Sequence, residues 1–373
     1  MHNFQKIMGE FQVYGDFVSA TPYGNGHIND TFLVTLSQAR QPVRYILQRI
    51  NTRIFQQPDL LMDNIYRICT EMHRQLELSQ EAESSAKALT TIITQGGKPY
   101  FQDEQENFWR LYLYIENAIG YDVIQNSQQA YEAGFAFGCF QQNLTHLPGP
   151  RLHETIPNFH NTPHRFQTFI QVLDADEFQR KQGASREIEF FFQHQNSIST
   201  LVDLAAQGKI PERVTHNDTK LNNVLIDPKT NKAVCVIDLD TSMPGLAPYD
   251  FGDLVRTSTS SAAEDEPDPS RVTFRPEMFK AITDGYLTTA SGFLTPEELD
   301  HLFFGSFLIT YEIGLRFLTD YLQGNTYFKV KYPEHNLVRS RNQISLAQAL
   351  GSHKAMLEDY IHNRHREIKR TGN

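Results

Sequence analysis

The sequence is poor in cysteine, in net positive charge and in long apolar runs, and each shortage removes a class of protein. Its three cysteines, Cys69, Cys139 and Cys235, are scattered with no CxxC spacing. That offers neither a disulfide frame nor a cysteine zinc site, and a reduced, cytoplasmic setting is expected. Lys and Arg number 34 against 44 Asp and Glu, for a formal net charge of −10. Without a basic stripe, a role built on gripping nucleic-acid phosphates is disfavoured. The most apolar run, Leu302 to Tyr311, is too short to span a bilayer and leads straight into Glu312. A buried helix is expected there, and no membrane partner. The opening "MHNFQKIMGEFQ" has no basic stretch followed by an apolar core, so no secretory signal is expected. Internal repeats and low-complexity tracts are also missing.

What is present suits a folded enzyme of two lobes. The chain has 373 residues, 40% of them hydrophobic and rich in Phe and Tyr, enough for two sizeable cores. "FVSATPY", "TFLVTL", "VRYILQRI", "LTTIITQGGKPYFQ" and "FWRLYLYIEN" read as strands, and "PDLLMDNIYRICTEMHRQL" as a helix with Pro58 near its start. From about Ser127 the pattern is helical. The expected class is α+β, with a β-rich lobe over residues 1–116 and a mainly helical lobe over 117–373 joined near "YIENAIG". A monomer is expected, with a weak oligomer as the alternative.

One β-like island interrupts the helical part: "VTHNDTKLNNVLID", residues 214–227. An apolar strand-like run, Ile210 to Val214, is broken by His216, Asp218, Lys220, Asn222 and Asn223 before the apolar "VLI" resumes. The order H-x-D-x-x-x-x-N, then a turn, a strand and "DLD" (Asp238 to Asp240), is that of phosphoryl-transfer enzymes of the kinase type. In such a site the loop aspartate orients the attacking hydroxyl, and an asparagine oxygen and a carboxylate after the next strand hold Mg²⁺ against nucleotide phosphates. A divalent ion is needed there, since two like charges about 4 Å apart repel by ~4 kcal/mol at an effective dielectric of 20. A polar hairpin would account for His216 and Asn223 alone, but not for four polar residues at this spacing with a strand before Asp238.

"HNDTKLNN" with "IDLD" resembles the aminoglycoside phosphotransferase and choline kinase superfamily, whose fold is like that of protein kinases. Further segments from both halves, including "PYGNGHINDTFLV", "RYILQRIN", "DFGDLVR", "LRFLTDYLQGNTYF" and "KYPEHNLVRSR", are similar to the N-acetylhexosamine 1-kinases within it, from about Tyr23 to Gln343. The resemblance implies a bilobal protein-kinase-like fold and phosphorylation of the anomeric hydroxyl of GlcNAc or GalNAc by ATP with Mg²⁺. It implies Asp218 as catalytic base, Lys220 near the transferred group, and Asn223 and Asp238 as metal ligands. His27, Asp218, Arg316 and Tyr327 would contact the sugar. Gly24 and Gly26 would cover the phosphates, and Tyr114 and Glu116 would lie at the adenine hinge. His216 would orient the loop, and Asp250 and Asp253 would brace a helix start.

The sequence departs from protein kinases in one respect. Gln48 of "YILQ" stands where strand three carries a phosphate-binding lysine, and Arg44, on the same face, is a candidate substitute. Gln48 alone motivates a third reading, a nucleotide-binding pseudokinase; a second reading keeps the chemistry but changes the acceptor to another sugar, a choline-like alcohol, homoserine or an aminoglycoside. "GGKP" at Gly96 reads as a turn rather than a P-loop. Pro163 spoils a helical metal pair of His160 and His164. His362 and His365 read as a solvated helix end, and "EFFFQ" as core.

Overall fold

The computed structural model describes residues 2–24, 28–79 and 87–371. The chain divides into two compact units. The first comprises residues 1–119, 143–157 and 225–243; the second comprises 120–142, 158–224 and 244–373.

The first unit is built on an antiparallel sheet. Strands β1 (Asp16–Pro22), β2 (Asp30–Gln38) and β3 (Gln41–Arg49) are followed by β4 (Thr91–Ile92), β5 (Phe101–Gln102) and β6 (Phe108–Leu113), in spatial order β1-β2-β3-β6-β4 with β5 also on β6. Register decides what each face presents, because residues directly opposite in an antiparallel pair point to the same side. Val34 opposes Tyr45, Phe32 opposes Leu47, and Leu47 opposes Leu111. That face forms the core with Trp109, and a short helix α1 (Phe4–Gly9) covers it with Ile7 and Met8. On the other face Thr31 opposes Gln48, which opposes Arg110; Leu33 opposes Ile46, which opposes Tyr112.

Helix α2 (Pro58–Leu78) starts on Pro58 and buries Leu61, Met62, Ile65, Ile68 and Cys69, an i, i+3, i+4 stripe. Its buried Asn64 donates to the carbonyls of His153 (2.8 Å) and Ser242 (3.3 Å) and accepts from the His153 amide. Ser242 follows the turn of Asp238 to Thr241. The strands leading to that turn are β9 (Val224–Ile226) and β10 (Ala233–Val236), adjacent in a small sheet with β7 (Ile119–Gly120). Short strands β8 (Arg213–Thr215) and β11 (Met243–Gly245) pair with each other. β8 is displaced from the apolar run read at Ile210 to Val214. Ile210 is buried in the helical core instead.

The second unit is helical: α3 (Ser127–Asn143), α4 (Thr162–Ala175), α5 (Ser185–Gln193), α6 (Thr200–Ala206), α7 (Ala247–Thr259), α8 (Pro276–Ala290), α9 (Pro296–Asp300), α10 (Leu302–Leu322), α11 (His335–Ser352) and α12 (Lys354–Thr371). By length and composition α10 could cross a membrane, but 78% of its apolar window is buried among the other helices. It packs against α4, α7 and α11. Its approach to α7 is glycine-dependent. A Cβ on Gly305 would lie 2.1 Å from the Pro248 carbonyl oxygen, and one on Gly252 would lie 2.5 Å from the backbone of Gly305.

Candidate active site

In the second unit the loop after β8 is held by a buried carboxylate. Asp250 accepts the backbone N–H groups of His216 (2.8 Å) and Asn217 (2.8 Å) and the side-chain amide of Gln141 (2.8 Å). Burial outweighs these donors and raises its pKa. The Thr219 hydroxyl donates to the Asp250 carbonyl at 2.5 Å. Asp250 therefore braces the loop, and its oxygens are committed to it. His216 is fully buried, edge-on to Phe137 and Phe140 with ring centroids 5.3 and 5.8 Å away. Asn217 has φ +61°, a left-handed conformation that asparagine tolerates. Gly245 makes room for this turn: a Cβ there would meet the Thr215 hydroxyl at 2.2 Å.

The turn aims Asp218 outward. Its carboxylate lies 2.7 Å from the Lys220 ammonium. The Asn223 side-chain amide donates to the Asp218 carbonyl (2.8 Å) and to its carboxylate (3.1 Å). Burial would raise the pKa of Asp218, but Lys220, His216 and Asn223 outweigh it and lower it. Asp218 is thus an ionised acceptor at neutral pH. With the Asn223 nitrogen spent on Asp218, its side-chain oxygen is the end left for a cation.

A second support meets the loop from below. His160 Nε2 lies 3.1 Å from the Asn217 carbonyl oxygen and Nδ1 lies 2.9 Å from the fully buried Glu312. The Thr162 hydroxyl donates to Glu312 at 2.6 Å, and the Tyr249 ring stacks on His160. The sequence reading treats His160 only as a failed metal pair with His164. His160 precedes α4, whereas His164 lies in its first turn, where its backbone N–H donates to the Asn161 cap at 3.1 Å.

Arg316, on α10, is ringed by aromatics. Its guanidinium carbon lies 5.6 Å from the Phe159 and Phe328 ring centroids and 5.8 Å from that of Tyr327. Tyr327 is 66% exposed, so its ring is open to a ligand. Buried Asp320 fixes the loop that carries it, accepting the backbone N–H groups of Thr326 (2.8 Å), Tyr327 (2.8 Å) and Phe328 (3.0 Å). Burial, and then the charge of Arg316, lower the pKa of Arg165, so two guanidinium groups share this neighbourhood.

In the first unit, Gly24 has φ +76° and open space where a Cβ would be. Gly26 and His27 lie outside the described residues. The hydroxyl of Tyr23, the residue before Gly24, is 3.5 Å from that of Tyr114. The Arg44 guanidinium lies 4.6 Å over the Tyr114 ring and pairs with Glu116, its Nε at 2.8 Å. Arg44 is thus engaged beside Tyr114 and Glu116. Gln48, two pleats away, has a different partner. Its amide donates to the Thr31 hydroxyl (2.9 Å), and its oxygen accepts from Arg110 Nε (2.9 Å).

Arg110 is fully buried and pairs through NH1 with Asp240. Asn29 donates to the other Asp240 oxygen at 2.5 Å. Both oxygens of Asp240 are therefore taken, whereas Asp238, two residues earlier, is exposed on left-handed backbone with φ +62°. Of the two carboxylates in "DLD", Asp238 is the exposed one and Asp240 the buried one. Among the described residues, no group of three or more His, Cys, Asp or Glu is gathered to hold a metal.

The sequence profile of APH, the phosphotransferase enzyme family, matches residues 19–281, a span that includes both the sheet and the 216–223 loop. The chain belongs to the phosphotransferase enzyme family. It is a phosphotransferase with an alcohol acceptor. The fold agrees with solved members. An aminoglycoside phosphotransferase from Alicyclobacillus acidocaldarius is similar with TM-score 0.54 and 12% identity, over 98% of this chain and 96% of that one. A choline kinase from Cryptosporidium parvum is similar with TM-score 0.53 and 14% identity, over 91% and 90%. A spectinomycin phosphotransferase solved with ADP and spectinomycin is similar with TM-score 0.50 and 14% identity, over 93% and 97%. These likenesses agree with the protein-kinase-like α+β fold expected from the sequence.

Proposed function

We propose that this phosphotransferase is a sugar 1-kinase that uses ATP and Mg²⁺ to phosphorylate the anomeric hydroxyl of an N-acetylhexosamine, GlcNAc or GalNAc. The observation that carries the phosphoryl-transfer reading is Asp218, an ionised carboxylate fixed by Lys220 and Asn223 on a loop clamped by Asp250. Asp218 accepts a hydrogen bond from the acceptor hydroxyl, aligns its oxygen with the γ-phosphorus, and takes the proton as the bond forms. The anomeric hydroxyl is more acidic than an ordinary alcohol, so a carboxylate suffices as base. Lys220, already beside Asp218, is placed to neutralise charge on the transferred group.

Asn223 and Asp238 would hold the metal. Both offer hard oxygen donors, and a set of two protein ligands suits Mg²⁺, which keeps waters and phosphate oxygens in its shell. When bound it supplies charge neutralisation for the phosphate oxygens. Gly24 and Gly26 would cover the phosphates. Leu33 and Ile46 offer an apolar patch for a base beside Tyr114 and Glu116, and the ADP held by the spectinomycin enzyme supports nucleotide use.

The acceptor reading rests on charge. Arg316 and Arg165 place two guanidinium groups near Tyr327, and close cationic neighbours disfavour cationic acceptors such as aminoglycosides and choline. Guanidinium donors and an open Tyr ring suit ring hydroxyls and an acetyl oxygen, with His27 as a further contact. The test is phosphorus NMR after incubation with Mg-ATP and GlcNAc or GalNAc. A new phosphomonoester coupled to the anomeric proton is the expected product. Turnover with another alcohol but neither sugar would overturn the acceptor; nucleotide binding with no turnover on any acceptor would favour a pseudokinase.

A further inference from the structure

The departure at Gln48 leaves the phosphate-facing side of the sheet without its expected lysine, yet a buried cation stands beside it. Gln48 and Arg110 are directly opposed in the β3–β6 register, so their side chains leave the same face of adjacent strands. Arg110 is 1% exposed, and its guanidinium is shared between Gln48 Oε1 at 2.9 Å and Asp240. It also lies 5.4 Å from the Tyr112 ring centroid. The chain of bonds continues in both directions. Gln48 holds Thr31 at the start of β2, and Asp240 is held by Asn29, whose own oxygen accepts the Asn51 backbone N–H at 3.0 Å. The hairpin that bears Gly24, the strand that lacks its lysine, and the turn that bears Asp238 are thus joined through one guanidinium.

We propose that Arg110 is a positioning residue for phosphoryl transfer: from β6 it supplies the buried cation missing from β3 and, through Asp240, fixes the turn that carries Asp238. This rests on the reading of Asp238 as a metal ligand. The chemistry favours arginine over lysine. A planar guanidinium can satisfy Gln48 and Asp240 together, where an ammonium is a single point charge. Because both Asp240 oxygens are occupied, the turn has one arrangement. Its neighbour Ser242 is pinned independently by Asn64. Asp238 itself is exposed.

The test compares Arg110→Met, Arg110→Lys and the double variant Gln48→Lys/Arg110→Met, each checked for folding by circular dichroism. Mn²⁺ replaces Mg²⁺ as an EPR probe, titrated in the presence of ADP, and hydrogen exchange is followed on the peptide spanning residues 236–242. Arg110→Met is expected to weaken ADP-dependent Mn²⁺ binding by about 10–100-fold, the loss usual when a residue that orients a metal ligand is removed. It should also raise exchange in 236–242 and raise KM for Mg-ATP while leaving KM for the acceptor unchanged. The double variant, which returns the cation from β3, is expected to recover most of the affinity, and Arg110→Lys part of it.

Unchanged Mn²⁺ binding and exchange in folded Arg110→Met would overturn the proposal. So would folded Lys-containing variants that recover nothing, since Arg110 would then be packing alone. Should Arg110→Met fail to fold, the double variant decides: near-native Mn²⁺-ADP affinity supports the role, and a loss as large as that expected of the single variant refutes it. Wild-type protein that binds no Mn²⁺-ADP would instead sink the parent reading of a metal-nucleotide site. None of these readouts depends on which acceptor is used.

Discussion

His160 reaches Glu312 with one ring nitrogen at 2.9 Å while its other nitrogen lies 3.1 Å from the carbonyl of Asn217. An ionised carboxylate and a carbonyl can only accept, so both nitrogens must donate and the ring is an imidazolium. Burial opposes that charge, but the hydrogen bond and charge of Glu312 outweigh it, and His160's pKa is raised; Asp253 adds in the same direction. Glu312's pKa is lowered despite its burial, by His160, Thr162 and Arg316.

The sign follows from linkage. A raised histidine contributes stability that is complete below its unfolded pKa near 6.5 and is lost as pH rises through its folded pKa. The lowered Glu312 contributes above its unfolded value and loses that contribution as pH falls. Thermal melts from about pH 6 to 9 should therefore show the wild type weakening on the alkaline side. His160→Gln, which stays neutral, should be less stable at the acid end of that range and lose the slope. Parallel profiles for the two proteins would contradict the imidazolium assignment.

Asp218→Asn keeps the shape of the loop and removes the acceptor for a proton. Turnover should fall by about 10²–10⁴-fold, the range for a general base, with nucleotide affinity by calorimetry nearly intact. A near-normal rate would remove Asp218 from its assigned role.

Asp238→Ala should abolish the magnesium dependence of nucleotide binding, measured by calorimetry with and without the metal. The alanine leaves the Arg110–Asp240 pair itself in place, and circular dichroism checks that the variant is folded. Magnesium-dependent binding that survives would place the metal elsewhere.

Arg316→Ala should raise KM for the acceptor by about 10–100-fold, from ~1.5–3 kcal/mol for hydrogen bonds donated by a charged group. KM for Mg-ATP should not move. Steady-state kinetics with each substrate varied in turn gives the comparison.

Gly305→Ala tests the helical core. The new methyl would stand 2.1 Å from a backbone oxygen, so α7 and α10 must separate. A loss of at least ~1–3 kcal/mol is expected in urea unfolding.

The parts of the fold that declared themselves in the sequence are those with a single period. β2 and β3 alternate through Val34 and Leu36 and through Tyr45 and Leu47, and α2 carries its stripe from Pro58 onward. Helix α1 was hidden because six residues are too few to show a helical repeat. The loop of Asp218 was legible because its polar residues interrupt apolar strands at fixed spacing. Its supports were not. Asp250, His160 and Glu312 lie 32, 58 and 94 positions from Asp218 in the numbering, and only tertiary packing brings them to one loop. Arg110 left a trace, a lone charge in the apolar strand "FWRLYLYI", but its partner Asp240 is 130 residues away.

The facing of Gln48 and Arg110 also bears on how such chains are compared. In an alignment the two occupy columns 62 positions apart, so a column-by-column reading records a lost lysine and an unrelated arginine. On the sheet they are neighbours, and a positive charge can pass from one strand to the other by two substitutions with no change of backbone. A missing strand-three lysine is therefore poor grounds for declaring a relative inactive until the residue opposite it on the neighbouring strand has been inspected.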